Sequence, residues 1–262
     1  MQSSRIIRTW HDFACKYRDN TAEHDMRETA LSVRERRIRL VMYIQLDGQI
    51  LYYEKTGSGE PLILLHGNGE DHHIFDELVR AVQNRFTVYV IDTRGHGESA
   101  TPKEFHYRDF GTDLNNFIRD FHIENPTIVG FSDGAITVMC ALLEKKQSGE
   151  NGGILKAKKL ILCGGNLTPA GLRFSDKSKI KKDFSKTKNP LDELMLKEPD
   201  ITPEQLSDFT MPVTVLAGEN DMIKEAETKR IAAAFPNSTL EILKEQTHTS
   251  YVIHSDFLKD YI

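Results

Sequence analysis

Short apolar segments alternate with longer amphipathic segments along most of the chain. From residue 41 onward the apolar segments lie at 41–46, 49–55, 62–65, 86–91, 127–131, 158–163, 212–217 and 239–243. Helical spacing of apolar positions predicts helices at 74–83, 109–122, 135–147, 222–235 and 251–260. Strands that alternate with helices of this length form parallel β–α–β units. The pattern predicts an α/β fold whose mostly parallel sheet carries helices on both faces, with a hairpin turning at Asp47-Gly48 on its leading edge.

The first forty residues differ from the rest in charge. They hold nine Lys or Arg against six Asp or Glu, which leaves a net charge of +3 there and −8 in the remainder of the chain. Ile6, Trp10, Phe13 and Tyr17 recur at helical spacing, which predicts an amphipathic helix. The acidic residues disfavour a mitochondrial transit peptide. We expect residues 1–40 to be a basic helical extension that is dispensable for chemistry.

Composition excludes several classes of protein. The chain has 262 residues, of which 39% are hydrophobic and 28% charged, so it can bury a large core without disulfides or a structural metal. A net charge of −5 and the lack of basic residues interleaved with aromatic ones disfavour a nucleic-acid partner. Cys15, Cys140 and Cys163 are far apart and read as reduced thiols of a cytoplasmic protein. The apolar runs fall short of the ~18 residues that a membrane span needs.

A nucleophile-elbow pattern stands between a predicted strand and a predicted helix. After strand 127–131 the chain reads Gly130-Phe131-Ser132-Asp133-Gly134 and then enters helix 135–147. In such a strand-to-helix turn the serine hydroxyl stands clear of the sheet, and the glycines remove side chains that would collide there. Ser132 is the candidate nucleophile.

A serine needs a base that accepts its proton and a carboxylate that orients the base, in the chain order Ser, acid, His. Strand 212–217 is followed by Glu219 and Asp221, and we favour Asp221 as the acid with Glu219 as its competitor. His248 follows strand 239–243 and is the candidate base. His254 falls inside the last predicted helix and is interpreted as structural.

The loop after strand 62–65 reads His66-Gly67-Asn68-Gly69. An oxyanion hole needs two backbone N–H donors, one from this loop and one from the residue after the nucleophile, which predicts Asn68 and Asp133. We expect His66 and Gly67 to contact the substrate. Asp71, His72 and His73 lack the spacing of a metallohydrolase motif, so no metal site is predicted. The segment 92–99, which contains Asp92 and His96, is interpreted as a tight turn that braces the site.

Together these motifs resemble the alpha/beta-hydrolase superfamily over residues 42–262. The resemblance implies an eight-stranded sheet, a Ser-Asp-His triad and a helical cap. It places the cap at 167–210 and the core at 41–166 and 211–262. Asp133, directly after the serine, is similar to the elbow of biphenyl-hydrolase-like (valacyclovirase-like) esterases.

The expected function is that of a serine hydrolase that cleaves a small ester or related acyl compound through an acyl-enzyme, without a cofactor. The expected partner is a small-molecule substrate, with no nucleic acid and no membrane. The alternatives are a catalytically silent ligand-binding protein of the same fold and a C–C bond hydrolase of the superfamily. We further expect the Asp133 carboxylate to lie at the edge of the pocket and to favour cationic acyl groups, unless it faces solvent or caps its own helix.

Overall fold

The computed structural model describes residues 6–7, 40–148 and 155–262. In these ranges the strands form one nine-stranded sheet in the order β1-β2-β3-β5-β4-β6-β7-β8-β9. Their bounds are β1 Ile6–Ile7, β2 Leu40–Leu46, β3 Gln49–Gly57, β4 Glu60–Leu65, β5 Phe86–Ile91, β6 Thr127–Phe131, β7 Lys159–Cys163, β8 Val213–Asn220 and β9 Ser238–Thr247.

Seven α-helices connect these strands within the described residues. They are α1 Asp76–Val82, α2 Tyr107–Asp120, α3 Asp133–Ser148, α4 Phe174–Thr187, α5 Pro190–Lys197, α6 Pro203–Leu206 and α7 Glu225–Ala234. Short 3₁₀ helices lie at His72–Phe75, Pro169–Gly171 and Phe257–Asp260. None of the described helices combines the length and apolarity needed to cross a lipid bilayer.

The sheet is parallel from β5 through β9 and antiparallel at its leading edge. β4 pairs in parallel with both β5 and β6, and β6 through β9 continue in parallel. β2 and β3 form the predicted hairpin, and β3 pairs antiparallel with β5. The predicted α/β architecture is therefore confirmed, and its eight strands are those from β2 to β9.

Two buried apolar layers explain the placement of the helices. On one face of the sheet Phe117 and Ile136 pack with Leu162 under helices α2 and α3. On the other face Leu78 of α1 packs with Val129 of the sheet. The central strands are buried on both faces, which is why they read as continuous apolar runs rather than as alternating ones.

The end of the chain departs from the predicted helix at 251–260. The segment instead forms turns up to His254 and a 3₁₀ helix at Phe257–Asp260. His254 has a φ of 50°, and its N–H donates to the carbonyl of Ile74 rather than to a carbonyl one turn back. Burial of Tyr251 and Leu258 between these turns produces the apolar spacing without a continuous helix. His254 is exposed and lies in a turn rather than in the predicted helix, and its structural role stays a prediction.

The N-terminal extension contributes one short strand in the described residues. Ile6–Ile7 pairs antiparallel with β2, where Ile6 lies opposite Ile44 and Ile7 opposite Tyr43. The predicted helix is therefore wrong at Ile6, because the edge of β2 offers backbone hydrogen bonds to an extended segment. Trp10, Phe13 and Tyr17 lie outside the described residues.

Helices α4, α5 and α6 occupy the segment 167–210, which separates β7 from β8. None of the residues of α4 is buried, whereas Leu194 of α5 and Leu206 of α6 are. The carboxyl ends of β4, β6, β7 and β8 open toward one edge of the sheet, and the candidate site residues follow these strands.

Candidate active site

Ser132 lies on the sharp turn between β6 and α3. Its φ is 52°, a left-handed conformation that a side chain rarely adopts, and its N–H donates to the carbonyl of Cys163 across 2.7 Å. The flanking glycines are required by close backbone contacts. A Cβ on Gly130 would stand 2.5 Å from the carbonyl oxygen of Gly134, and one on Gly134 would stand 2.3 Å from that of Leu65. The strained turn carries Ser132 at the edge of the sheet.

Three side chains from three different loops form a continuous hydrogen-bonded line. The Oγ of Ser132 lies 3.0 Å from Nε2 of His248, and Nδ1 of His248 lies 2.6 Å from Oδ1 of Asp221. The side chain of Asp221 is 1% exposed and that of His248 is 14% exposed. The chain therefore brings a hydroxyl, an imidazole and a buried carboxylate together at nucleophile–base–orienter distances.

Asp221 rather than Glu219 reaches the histidine. Backbone N–H groups hold the Asp221 carboxylate, since Gly218 donates to Oδ2 across 3.2 Å and Ile223 donates to Oδ1 across 2.9 Å. Glu219 is exposed, and its Oε2 accepts a hydrogen bond from the N–H of Glu245. The Asp221 carboxylate is therefore buried against His248, whereas the Glu219 carboxylate lies at the exposed surface.

Gly164 is a site residue that the sequence reasoning missed. It follows β7 with a φ of 60°, and a Cβ there would stand 2.7 Å from Cε1 and 2.9 Å from Nδ1 of His248. The imidazole is therefore seated against bare backbone on this side, and the ring of Phe131 lies 5.0 Å away from it on another. The signal in the sequence was the Gly164-Gly165 pair directly after a buried strand.

His66 is placed differently from its prediction as a substrate contact. The residue is 1% exposed, and both ring nitrogens are engaged, since Nδ1 donates to the carbonyl of Gly67 and Nε2 accepts from the N–H of Thr93. Burial, aided by nearby His96, lowers the pKa of His66 to about 4, so the ring is neutral. His66 braces the loop after β4 and does not face a substrate.

Gly67 itself lies beside the nucleophile. A Cβ on Gly67 would stand 3.0 Å from Cβ of Ser132 and 3.0 Å from Oε2 of Glu70. Side chains of Ser132, Glu70 and Phe131 surround this position, so a side chain at residue 67 would displace the nucleophile or Glu70. The contact of Gly67 with a substrate stays a prediction. Asn68, the predicted oxyanion donor, is the next residue in this loop.

Glu70 is a second residue that the sequence reasoning missed. Its Oε2 accepts a hydrogen bond from the N–H of Gly67 across 3.1 Å. Burial raises the pKa of the Glu70 carboxyl to about 7, against the opposing effects of that N–H and of His248. The approach of Asp133 and Asp71 raises the pKa further. A titratable carboxyl thus lies beside the loop after β4, and its only sequence signal was an acid three residues after a buried His-Gly pair.

Asp133 begins helix α3, and its carboxylate is buried. The residue is 4% exposed, and Oδ2 accepts from the side-chain amide of Asn68 across 3.1 Å. Burial raises the pKa of the Asp133 carboxyl to about 6, with opposing effects from the Tyr107 hydroxyl, the Asn68 amide and His248. The buried Tyr107 hydroxyl lies close to this carboxylate, but not in hydrogen-bond geometry. The carboxylate therefore neither faces solvent nor forms an open pocket edge.

The amide of Asn68 links this cluster to the segment 167–210. Its Nδ2 also donates to the carbonyl of Leu191 in α5, across 3.3 Å. Two acceptors around one amide nitrogen support its assignment as the donor end of the side chain. Helix α5 therefore lies next to the loop after β4, which is where a covering segment would have to be.

The turn after β5 braces the site, as predicted. The buried carboxylate of Asp92 accepts hydrogen bonds from the N–H and Nδ1 of His72 and from the N–H of Glu98. A Cβ on Gly97 would stand 2.1 Å from this carboxylate. The hydrogen bonds of Asp92 hold the turn 92–99 against the loop that contains His72. None of these hydrogen bonds involves Ser132.

One group of potential metal ligands occurs among the described residues, at Asp71, His72 and His73, with ligand atoms within 4.8 Å of one another. Two of the potential ligand atoms already form hydrogen bonds within the protein. Nδ1 of His72 contacts Asp92, and Oδ1 of Asp71 accepts from the N–H of His73. We assign no metal to it.

A polar cavity of about 360 Å³ opens beside His248 and Asp221. Arg173 borders it, and Ser132 is not part of its lining.

Comparison with known proteins supports the fold. Residues 60–173, less than half of the chain, match the profile of the alpha/beta hydrolase fold. The chain has the alpha/beta-hydrolase fold. It superposes on the esterase EaEST of Exiguobacterium antarcticum with a TM-score of 0.66 and 20% identity, covering 84% of this chain and 95% of that one.

Two curated relatives share shorter stretches of sequence. A putative non-heme chloroperoxidase of Synechocystis is 33% identical over 86 residues, which is 32% of this chain and 31% of that protein. Ethanol acetyltransferase 1 of Hanseniaspora uvarum is 27% identical over 133 residues, which is 45% of this chain and 40% of that protein. The matches span less than half the length of these relatives, so they carry no assignment of activity by themselves.

Proposed function

We propose that this protein is a member of the alpha/beta-hydrolase superfamily and a serine hydrolase that cleaves a small ester or related acyl compound through an acyl-enzyme. The observation that carries the proposal is the line from Ser132 Oγ to His248 Nε2 to Asp221 Oδ1, at 3.0 and 2.6 Å. A serine hydroxyl gains nucleophilicity only with a base in hydrogen-bond contact. The name of the structural neighbour from Exiguobacterium antarcticum, an esterase, agrees with this reaction class.

The reaction has two halves. Ser132 Oγ attacks the acyl carbon, its proton passes to Nε2 of His248, and the imidazolium then returns that proton to the departing alcohol. Water takes the place of the alcohol in the second half and releases the acid by the reverse proton path. Asp221 holds the ring through Nδ1 and stabilises the positive charge that develops on it.

The developing oxyanion is bound by backbone N–H groups of Asn68 and Asp133. Asp133 is the first residue of α3, and the N–H groups of a first helical turn have no intrahelical acceptor. The positive end of the helix dipole adds to their effect. Tying the Asn68 side chain to Asp133 keeps the two donor loops at a fixed separation.

The substrate is proposed to be uncharged or cationic near its acyl group. Asp133 and Glu70 both place carboxyl groups close to the site, and both have pKa values raised by burial, to about 6 and about 7. Above these values the wall of the site carries negative charge, which disfavours an anionic acyl group. The name of the relative from Hanseniaspora uvarum, an acetyltransferase, suggests testing alcohols beside water as acceptors of the acyl group.

The test is labelling by a fluorophosphonate, which reacts only with an activated serine. Wild type should be labelled and should hydrolyse members of a panel of acyl esters and amides, whereas Ser132→Ala should do neither. Loss of a triad member costs about 10⁴ to 10⁶ in kcat. Ser58→Ala, at an exposed serine far from the site, is the control. A wild-type chain without labelling or turnover is the result expected of a silent ligand-binding protein.

A further inference from the structure

We infer that Glu70 is a positioning residue of the oxyanion loop, whose carboxylate closes the turn 67–70 and thereby aims the N–H of Asn68 at the oxyanion. The inference rests on the proposed serine-hydrolase function and deepens it. It assigns to Glu70 a role in transition-state binding that neither its position in the sequence nor the comparisons indicate.

Two reciprocal hydrogen bonds close this turn. The N–H of Gly67 donates to Oε2 of Glu70 across 3.1 Å, and the N–H of Glu70 donates to the carbonyl of Gly67 across 3.4 Å. Asn68 and Gly69 form the tip between them, and Gly69 has a φ of 73°. The Glu70 carboxylate restrains the backbone at the start of this turn, and the Asn68 side chain restrains its tip through Asp133 and Leu191.

The closed turn fixes the direction of one peptide group. The carbonyl of Gly67 and the N–H of Asn68 belong to the same trans peptide and therefore point in opposite directions. That carbonyl accepts from His66 Nδ1 across 2.7 Å and from the N–H of Glu70 across 3.4 Å. The N–H of Asn68 therefore points away from His66 Nδ1, and we infer that it faces Ser132, which lies beside Gly67.

Glu70 also lies close to the nucleophile and to charged groups of the site. Its Oε2 and the Cβ of Ser132 are both 3.0 Å from the place where a Gly67 side chain would begin. The charged and titratable groups that face its carboxyl are His248 from the loop after β9, Asp133 from α3 and its neighbour Asp71. The first attracts the carboxylate and the other two repel it.

Ionisation of Glu70 thus changes the turn within the range where the enzyme is expected to work. A carboxylate accepts a stronger hydrogen bond from the Gly67 N–H than a neutral carboxyl does. Burial raises the pKa of Glu70 to about 7, so acidification past neutrality weakens this hydrogen bond and loosens the turn. Acylation of Ser132 should consequently fall on the acid side as Glu70 takes up its proton.

The experiment measures the second-order rate constant of fluorophosphonate labelling between about pH 5 and 9. In that reaction Ser132 Oγ forms a bond to phosphorus, the phosphorus–fluorine bond breaks, fluoride leaves, and the serine proton passes to His248. The phosphoryl oxygen occupies the oxyanion site. The proteins compared are wild type, Glu70→Ala, Glu70→Gln, and Glu77→Gln as a control at an exposed acid of α1.

Glu70→Ala should be labelled at least about tenfold more slowly at every pH, because a displaced oxyanion donor loses part of its effect. Glu70→Gln keeps an acceptor for the Gly67 N–H, so it should stay within about threefold of wild type at pH ~8, and it should lack the loss of rate that wild type shows as Glu70 takes up its proton. Glu77→Gln should match wild type.

The inference would be overturned if Glu70→Ala were labelled within about twofold of the wild-type rate, or if Glu70→Gln kept the acid limb of wild type. Labelling of wild type would still support the proposed function. Failure of wild type to label would overturn both. Thermal melting of each variant separates loss of the turn from loss of the fold. If Glu70→Ala does not fold, the acid limb of Glu70→Gln decides by itself.

Discussion

The side-chain amide of Asn68 donates to Oδ2 of Asp133 across 3.1 Å, which joins the loop after β4 to the first residue of the helix after β6. These are the two residues whose backbone N–H groups are proposed to bind the oxyanion. The same amide reaches Leu191 in α5. One side chain therefore couples both proposed donors to the segment that lies over them.

This contact bears on selectivity at Asp133. The buried carboxylate of Asp133 should favour an α-amino ester over its uncharged isostere by no more than about threefold, since it is enclosed beside Asn68 and acts on the acyl group without direct contact. Asp133→Asn should reduce that ratio of kcat/KM toward unity while retaining a side chain that can bond to Asn68. Equal ratios in the two proteins would leave Asp133 with a backbone role alone.

The orienting acid can be tested by a pair of isosteric changes. Asp221→Asn should lower kcat by roughly 10³ to 10⁴, because an amide opposite Nδ1 of His248 favours the wrong tautomer of the ring. Glu219→Gln, at the exposed acid two residues earlier, should leave kcat within about twofold of wild type. Steady-state kinetics on one ester suffices, and the opposite ranking of the two variants would give the role to Glu219.

The close contact of Gly164 with the His248 ring predicts that a methyl group at residue 164 strongly lowers kcat. Gly164→Ala would place a Cβ 2.7 Å from Cε1 of His248, so the ring must move away from Ser132, and kcat should fall by about a hundredfold. Gly48→Ala is the control, since Gly48 also has a positive φ but no atom within 4 Å of its Cβ position. Similar losses of activity in both variants would point to backbone strain rather than to displacement of His248.

Stability should depend on pH through Glu70. Because folding raises its pKa from the usual 4.5 to about 7, the folded state holds the proton more tightly than the unfolded state does. The resulting stabilisation is present below pH ~4.5 and is lost as the pH rises through about 7. Glu70→Gln removes this loss, so it should melt a few degrees above wild type at pH ~8, for about 1 to 2 kcal/mol after allowance for solvent.

At pH ~4.5 the melting-temperature gap between wild type and Glu70→Gln should shrink, because both proteins then carry a neutral group at this position. Calorimetry at the two pH values provides the measurement. A gap that did not depend on pH would contradict the raised pKa of Glu70, whereas it would leave the geometry of the turn untouched.

The N-terminal extension provides a test by deletion. A chain that begins at Met42 should retain the labelling rate of wild type, because the proposed catalytic groups all lie between residues 66 and 248. Its melting temperature should drop somewhat, since the pairing of Ile6–Ile7 with β2 is lost. An insoluble or inactive product would show that residues 1–41 take part in the fold.

Local sequence determined much of this protein. The apolar runs predicted strands β2 to β9 within a few residues, and the glycines around Ser132 predicted the elbow, because a strand-to-helix turn of that sharpness tolerates little else. Asp221 and His248 were predicted from chain order and from their places after two strands, and the structure brings both into hydrogen-bond contact. The last helix at 251–260 failed because buried turns can reproduce helical spacing.

Tertiary structure alone decided which polar side chains meet. His66 was expected at the substrate, but Thr93 and Gly67 engage both its ring nitrogens. Asp133 was expected at an open edge, but Asn68, from a loop 65 residues earlier, holds its carboxylate. Hydrophobic periodicity reports only whether a residue faces the core. The partner of a buried polar group depends on the separation and direction of chain segments far apart in sequence, which only the packed sheet and helices fix.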